Sequence, residues 1–200
     1  MDIMAVTKDR SKEEILELIE KRGIKILGEN KLQEIEKKYD QKLFLELRKS
    51  GAELHFIGHL QKNKVKKVVR LCQCIQSVDS LKLGKLIAKE AEMQKKQMPI
   101  FLQVNLSGES RKYGFLEEGL WTAFEELRSL PQLTIRGLMT IGKEKDSGKT
   151  REFFRRCKEL TRKLGVPECS MGMSDDYQIA LEEGSTMLRL GRIFFELRKE

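Results

Sequence analysis

A lysine amine at the end of a strand is the most reactive candidate in this chain. In Met4-Ala5-Val6-Thr7-Lys8, the residues Met4, Val6 and Lys8 share one face at the two-residue period of a strand. A lysine there that is partly withdrawn from water can lose its proton and attack a carbonyl. A solvated strand-end lysine is the alternative. A second candidate is Ser170-Met171-Gly172-Met173-Ser174-Asp175-Asp176. Gly172 permits unusual backbone angles, and Ser174 is placed to cap a short helix whose free N–H groups would face an anion. An ordinary capped helix reads equally well. The third is Leu188-Arg189-Leu190-Gly191-Arg192. A guanidinium in an apolar strand needs a partner, either in a structural ion pair or on a ligand. Gly191 would let the backbone approach a phosphate closely.

Other polar residues read more plainly. His55 and His59 are the only histidines, and the expected strand end at Gly58 lies between them. They do not share a helix face as paired metal ligands do. His59 reads as a helix-start residue, and Glu29 and Asn30 as a turn.

The chain alternates short aliphatic runs with helical patterns. Strands are expected at 3–7, 23–30, 54–58, 72–78, 100–105, 133–141, 169–171 and 187–194. Between them, helices are expected at 12–22 with Ser11 as N-cap, 31–50, 60–71, 79–97, 115–130, 149–164 and 175–183. Pro99 and Pro131 read as helix stops, and Gly165 and Gly184 close two others. Eight strands alternating with helices argue for a parallel sheet closed into a single (β/α)8 TIM-like barrel, one domain over 1–200. An open doubly wound sheet is the runner-up, but no glycine-rich fingerprint follows strand one. In such barrels chemistry gathers at the C-terminal strand ends. Here those ends present Lys8, Asn30, His59, Ser77 to Asp79, Asn105, Met139 and Thr140, Ser170 to Ser174, and Arg189 to Gly191.

Composition narrows the function classes. Lys and Arg number 39 against 31 acids, a net charge of +8. The basic residues interleave with glutamates along helices, as in Lys12-Glu13-Glu14, which reads as a solvated surface. The densest basic run, Lys62 to Arg70, carries no aromatic residue on which a base could stack. No nucleic-acid partner is therefore expected. No apolar run approaches the ~20 residues that span a bilayer, so no membrane partner is expected, and no secretory signal pattern opens the chain. Cys72, Cys74, Cys157 and Cys169 form no CxxC pair and read as reduced thiols. Cys72 and Cys74 should point to one face of a strand. No metal site and a cytoplasmic location follow as expectations.

Together these segments resemble one family, the pyridoxal phosphate homeostasis proteins, relatives of the alanine racemase N-terminal barrel. The resemblance rests on Met4-Ala5-Val6-Thr7-Lys8, Gly28-Glu29-Asn30, His55-Phe56-Ile57-Gly58-His59-Leu60-Gln61 with Asn63-Lys64, and Ser77-Val78-Asp79-Ser80. It continues through Gln103-Val104-Asn105, Gly114-Phe115, Arg136-Gly137-Leu138-Met139-Thr140-Ile141, the Ser170 to Asp176 segment, and Arg189-Leu190-Gly191-Arg192. It departs from the family at Asp9-Arg10, at Phe194-Phe195-Glu196, and in lacking a helix before strand one.

The resemblance implies a pyridoxal 5′-phosphate (PLP) barrel of fold type III without the extra β-domain of alanine racemase. Lys8 would hold PLP as a Schiff base. Ser174 and the backbone around Gly191 and Arg192 would hold the phosphate. Arg189 would face the pyridine nitrogen, and Asn30 the side of the ring. It also implies a PLP-homeostasis protein rather than an enzyme, with no catalytic residue, serving as a monomer that supplies apo PLP-dependent enzymes. An amino-acid racemase is the alternative. It would need two positioned acid–base groups, and Tyr39, Tyr113 and Tyr177 read as helix and loop residues.

Overall fold

Eight parallel strands pair in sequence order: β1 (Asp2–Val6), β2 (Ile26–Glu29), β3 (Glu53–Phe56), β4 (Cys74–Val78), β5 (Met98–Gln103), β6 (Leu133–Met139), β7 (Glu168–Ser170) and β8 (Met187–Leu190). β1 pairs with both β2 and β8, at Met4↔Ile26 and Met4↔Arg189, so the sheet closes on itself. This is the expected (β/α)8 barrel. The structure is a computed structural model describing residues 1–109 and 111–196; Ser110 and residues 197–200 of the expected domain lie outside the described residues.

The helices are α1 (Lys12–Glu20), α2 (Leu32–Lys38), α3 (Gln41–Ser50), α4 (Val65–Leu71), α5 (Leu81–Met93), α6 (Glu117–Arg128), α7 (Ser147–Lys163), α8 (Tyr177–Glu182) and α9 (Arg192–Glu196). Ser11 opens α1 with a reciprocal capping box to Glu14. Ser80 and Asp146 cap α5 and α7 through their side chains. Apolar stripes such as Ile15, Leu18 and Ile19 of α1 bury against the outside of the barrel. Inside the barrel a smaller cluster of Met4, Ile26, Cys74, Phe101, Met139 and Met187 fills the lumen. Burying each such side chain stabilises the fold by roughly 1.5–3 kcal/mol.

The molecule departs from the expected elements at several points. The helix expected over 31–50 is two helices, because Asp40 accepts a hydrogen bond from the Leu43 N–H (2.9 Å) and starts α3 afresh. The second strand starts at Ile26; Gly23 belongs to a left-handed turn (φ 63°) that ends the α1 segment. Within the helix expected over 60–71, a short 3-10 turn, Lys62–Lys64, precedes α4, which starts at Val65. Pro99 does not stop a helix: α5 ends at Met93, and Pro99 lies within β5 opposite Thr134. Strand eight stops at Leu190 rather than running to Phe194, and the chain turns at once into α9. Cys72 ends α4 and packs outside the barrel, whereas Cys74 faces the lumen, so the two thiols do not share a face.

Glycine is required where β6 meets β7. A Cβ on Gly137 would stand 1.9 Å from the Glu168 carbonyl oxygen. Gly119 in α6 has nothing within 4 Å of its would-be Cβ. Gly137→Ala should therefore cost about 1–3 kcal/mol or more through forced strand separation, whereas Gly119→Ala should gain roughly 0.5–1 kcal/mol as a helix substitution. Urea denaturation of the two variants checks this; equal midpoints would contradict the tight β6–β7 contact.

Candidate functional site

The strand ends surround a pocket of about 450 Å³ at the mouth of the barrel, within the usual range for small-molecule sites. Val6, Asn30, Ile57, Gly58, His59, Gln103, Tyr113, Met139, Ile141, Met173, Ser174, Asp175, Arg189, Gly191 and Arg192 line it. Of the residues expected to bind the cofactor, Asn30, Ser174, Arg189, Gly191 and Arg192 thus come together on its walls. Lys8 is not a lining residue. It stands in the turn that follows β1, two residues beyond Val6 rather than on the strand face expected for it, half-exposed, with its amine 3.7 Å from the Asp9 carboxylate.

The turn carrying Lys8 is held from behind. Lys38 Nζ donates to the Thr7 carbonyl (2.7 Å) and pairs with the buried Glu29 carboxylate (2.6 Å). Thr7 Oγ1 donates to Glu29 (2.6 Å) and meets the Tyr39 hydroxyl (2.9 Å). Burial pushes the Glu29 carboxyl up, partly offset by Lys38 and Thr7. Lys38 and Tyr39 belong to no motif that singles them out in sequence; the split between α2 and α3 brings them to Thr7 and to Glu29 at the end of β2. Next to Glu29, Asn30 Oδ1 is buried without a hydrogen-bond partner among the described residues, on the wall of the pocket. A buried amide oxygen in that state calls for a ligand or a water. The close seat of β3 on this turn depends on Gly58, whose Cβ would lie 2.0 Å from the Asn30 carbonyl oxygen.

Across the mouth, the segment after β7 folds on Gly172. Its φ is +96°, and a Cβ there would meet Ala180 and Leu188 side chains at 2.5 and 2.8 Å. Its carbonyl accepts from the Arg189 N–H (2.9 Å), which ties the loop to β8. Ser174 does not cap the next helix. Asp176 takes that position, and its carboxylate accepts from the Met173 N–H (2.6 Å) while α8 starts at Tyr177. Ser174 is left on the pocket wall. Gly191 opens α9, whose first N–H groups have no partner in their own helix. A Cβ on Gly191 would meet Val6 only at ordinary contact, 3.6 Å. The Arg192 side chain pairs with Asp175.

Arg189 is buried and makes no hydrogen bond to a carboxylate among the described residues. Its Nη1 donates to Ser170 Oγ and its Nη2 to the Thr140 carbonyl, both 2.8 Å. Desolvation lowers its pKa to about 10, so it stays charged near neutral pH. The bond to Ser170 begins a chain down the lumen. Ser170 Oγ donates to Gln76 Oε1 (2.8 Å), Gln76 Nε2 donates to His55 Nδ1 (3.0 Å), and His55 Nε2 donates to Glu53 (2.8 Å). The order of donors assigns the imidazole its Nε2–H tautomer. Arg136 then bridges Glu53 (3.1 Å) and Glu168 (2.6 Å) at the far end.

Two further residues stand at the mouth: His59, which is among the expected strand-end residues, and Tyr113, which is not. His59 Nδ1 lies 3.2 Å from the Asp79 carboxylate, and its ring stacks on Tyr113 at 3.7 Å and 14°. Tyr113 comes from the loop after β5, which Asn105 folds by donating to the carbonyls of Glu109 and Lys112. Tyr113 is a loop residue as expected, but its loop returns over the pocket.

This chain is similar to known proteins over nearly its whole length. The family model of the alanine racemase N-terminal domain matches residues 1–199. The pyridoxal phosphate homeostasis protein of Aquifex aeolicus is 38% identical over 184 residues, covering 88% of this chain and 78% of that protein. The mouse protein of the same name is 35% identical over 212 residues, covering 96% and 75%. Among solved structures, PipY of Synechococcus elongatus with PLP bound superposes at TM-score 0.86 with 29% identity, over 98% of this chain and 92% of that one. An alanine racemase of Clostridium difficile, at TM-score 0.69 and 18% identity, shares the fold over 52% of its length.

The lumen chain sets a pH dependence. Burial lowers the His55 pKa below its ordinary 6.5. The His55 hydrogen bond, with Arg136 helping, holds Glu53 at about 2 against an ordinary 4.5. In both cases the unfolded chain takes up more protons, so stability falls as pH falls. The His55 share is lost below about 6.5 and the Glu53 share between about 4.5 and 2. The urea midpoint should decline from pH 7 to 5, and His55→Gln should flatten that decline while lowering the midpoint at pH 7. An unchanged slope in the variant would refute the buried neutral imidazole.

Proposed function

This chain belongs to the pyridoxal phosphate homeostasis protein family, built on the alanine racemase N-terminal barrel, and we propose that it binds PLP reversibly in intracellular PLP homeostasis. The observation that carries the reading is the pocket itself, which brings Asn30, Ser174, Arg189, Gly191 and Arg192 together at the barrel mouth, with Lys8 two residues along the chain from the lining residue Val6. When bound, PLP supplies an aldehyde that a lysine amine takes up as a Schiff base. Lys8 provides that amine. Ser174 and the backbone from Gly191 into α9 hold the phosphate. Asn30, with its unpartnered oxygen, sits beside the ring. Arg189 faces the ring nitrogen.

The same residues argue for weak turnover. Arginine only donates hydrogen bonds, so Arg189 favours an unprotonated ring nitrogen, a poor sink for carbanion electrons. Its bonds to Ser170 and Thr140 hold the guanidinium in a fixed position. We read the protein as a non-enzymatic, monomeric, cytoplasmic carrier that serves apo PLP-dependent enzymes. Among the described residues no helix is long and apolar enough to cross a membrane. The presence of His59 and Tyr113 in the pocket keeps amino-acid racemisation as the second reading.

Three measurements test these assignments. Purified protein should carry a borohydride-reducible PLP label that maps to Lys8, and Lys8→Ala should lose it; a label retained elsewhere moves the anchor to another lysine. Gly191→Val should weaken PLP binding at least tenfold, about 1.4 kcal/mol, while the PLP-free protein melts within about 3 °C of wild type. Equal PLP affinity of the two proteins would remove the Gly191 backbone from the phosphate site. Enantiopure L-alanine should stay enantiopure on prolonged incubation. Racemisation at roughly 1 per second or faster would establish the racemase reading.

A further inference from the structure

The pocket holds a proton-transfer group that the cofactor contacts leave unused. Holding a cofactor on Lys8 is useful to a carrier only if the bond can be exchanged. In that exchange a primary amine attacks the carbon that Lys8 holds. Its nitrogen must shed a proton, and Lys8 Nζ must gain one before it leaves. A side chain that both accepts and donates near neutral pH speeds such a step, and imidazole is the side-chain type suited to it.

His59 is placed for this work. It lines the pocket together with Asn30, Ser174 and Arg189. Its Nδ1 is engaged by Asp79 at 3.2 Å, and Tyr113 stacks on its face at 3.7 Å. The ring is therefore oriented from two sides, by the end of β4 and by the loop after β5, and Nε2 is the nitrogen left to exchange protons. The strand register relates it to Lys8. Val6 pairs with Gly28 and Gly28 with His55. Beyond these pairs Lys8 follows the end of β1 by two residues, Asn30 follows β2 directly, and His59 follows the end of β3 by three, so the three stand at one end of adjacent strands. Two inter-strand spacings, about 10 Å, separate the ends of β1 and β3, a gap that a lysine side chain and a bound small molecule can fill. The phosphate end is committed to the opposite side, at Ser174 and Gly191 after β7 and β8. The remaining titratable or charged groups of the pocket are otherwise occupied: Asp175 and Arg192 pair with each other, and Arg189 is held by Ser170 and Thr140. Lys62 lines the neighbouring cleft with His59, Asp79 and Tyr113.

We propose that His59, oriented by Asp79 and Tyr113, transfers the proton that lets a primary amine, such as that of an amino acid, displace Lys8 from PLP. The incoming N–C bond forms and the Nζ–C bond of Lys8 breaks. With the C=N nitrogen protonated before and after, one proton leaves the neutral incoming amine for His59 Nε2, and one returns from His59 to Lys8 Nζ, which departs as a neutral amine. Nothing is oxidised or reduced. This rests on the PLP reading given above.

The test uses full-length protein loaded with PLP to equal extent, mixed with L-alanine, and follows the cofactor absorbance by stopped flow across pH 5.5–9. His59→Gln should slow exchange at least about tenfold and lose the wild-type pH dependence. Asp79→Asn keeps the ring but not its orientation, and should slow exchange less. A second readout needs no turnover. The chain has two histidines, and His55 is fully buried, so proton NMR of the PLP-free protein can follow the His59 ring resonances. PLP loading should shift them, and Asp79→Asn should change that response. Exchange in His59→Gln with the wild-type rate and pH profile, or His59 resonances unmoved by PLP, overturns the proposal. If wild-type protein takes up no borohydride-reducible PLP, the cofactor reading itself fails, a result distinct from normal loading with unaltered exchange.

Discussion

A guanidinium inside a barrel is the constraint on which the rest of this molecule turns. Arg189 is buried on β8 with no carboxylate hydrogen-bonded to it among the described residues. Desolvating such a charge is tolerable only when its donors are met. Ser170 and Thr140 meet two of them, and Ser170 must then find an acceptor of its own. Gln76, His55 and Glu53 continue the demand down the lumen until Arg136 and Glu168 close it. The side chains of this chain stand on β3, β4, β6, β7 and β8, so those strands are cross-linked through the interior of the barrel. The apolar lumen cluster packs around it. A register slip in any of these strands would flip its polar member outward and orphan the next.

The opposite side of the mouth rests on a second buried charge system. Lys38 binds the Thr7 carbonyl and the Glu29 carboxylate at once. This fixes the last residue before Lys8 and the last residue before Asn30 with a single side chain. The interruption between α2 and α3 makes it possible, because the break sets Lys38 and Tyr39 against the strand ends. The site is thus pre-organised from both flanks, while Lys8 itself stays half-exposed.

His59 and Tyr113 stand apart from both systems. Neither is buried, and Tyr113 belongs to a loop whose shape depends on Asn105 and on Gly114, where a Cβ would meet the Asn105 nitrogen at 2.7 Å. The half of the mouth at β7 and β8 is built from strand ends and close glycine contacts. The half near β5 is built from a loop, which is where openness to an incoming molecule belongs.

By itself the sequence determined the architecture and part of the pocket wall. Alternating strand and helix patterns carry their own period, so eight strands and a closed barrel are legible in it, and strand ends in a barrel converge whatever the side chains. That is why Asn30, Ser174, Arg189 and Gly191 group together on sequence pattern alone. Local chemistry is less legible at breaks. Asp40 as a cap inside a helical pattern, Pro99 inside a strand, and the turn at Gly191 are settled by contacts that overrule propensity. Tertiary structure alone decided the partners. The Thr140 carbonyl and Gln76 reach Arg189 and Ser170 from strands distant in sequence, Lys38 and Tyr39 reach Thr7 across 31 and 32 residues, and Asp79 and Tyr113 reach His59 from separate loops. A hydrogen bond between residues far apart in the chain leaves no periodic trace in either segment, because each residue's own neighbours fix only its direction, and the fold fixes what it meets.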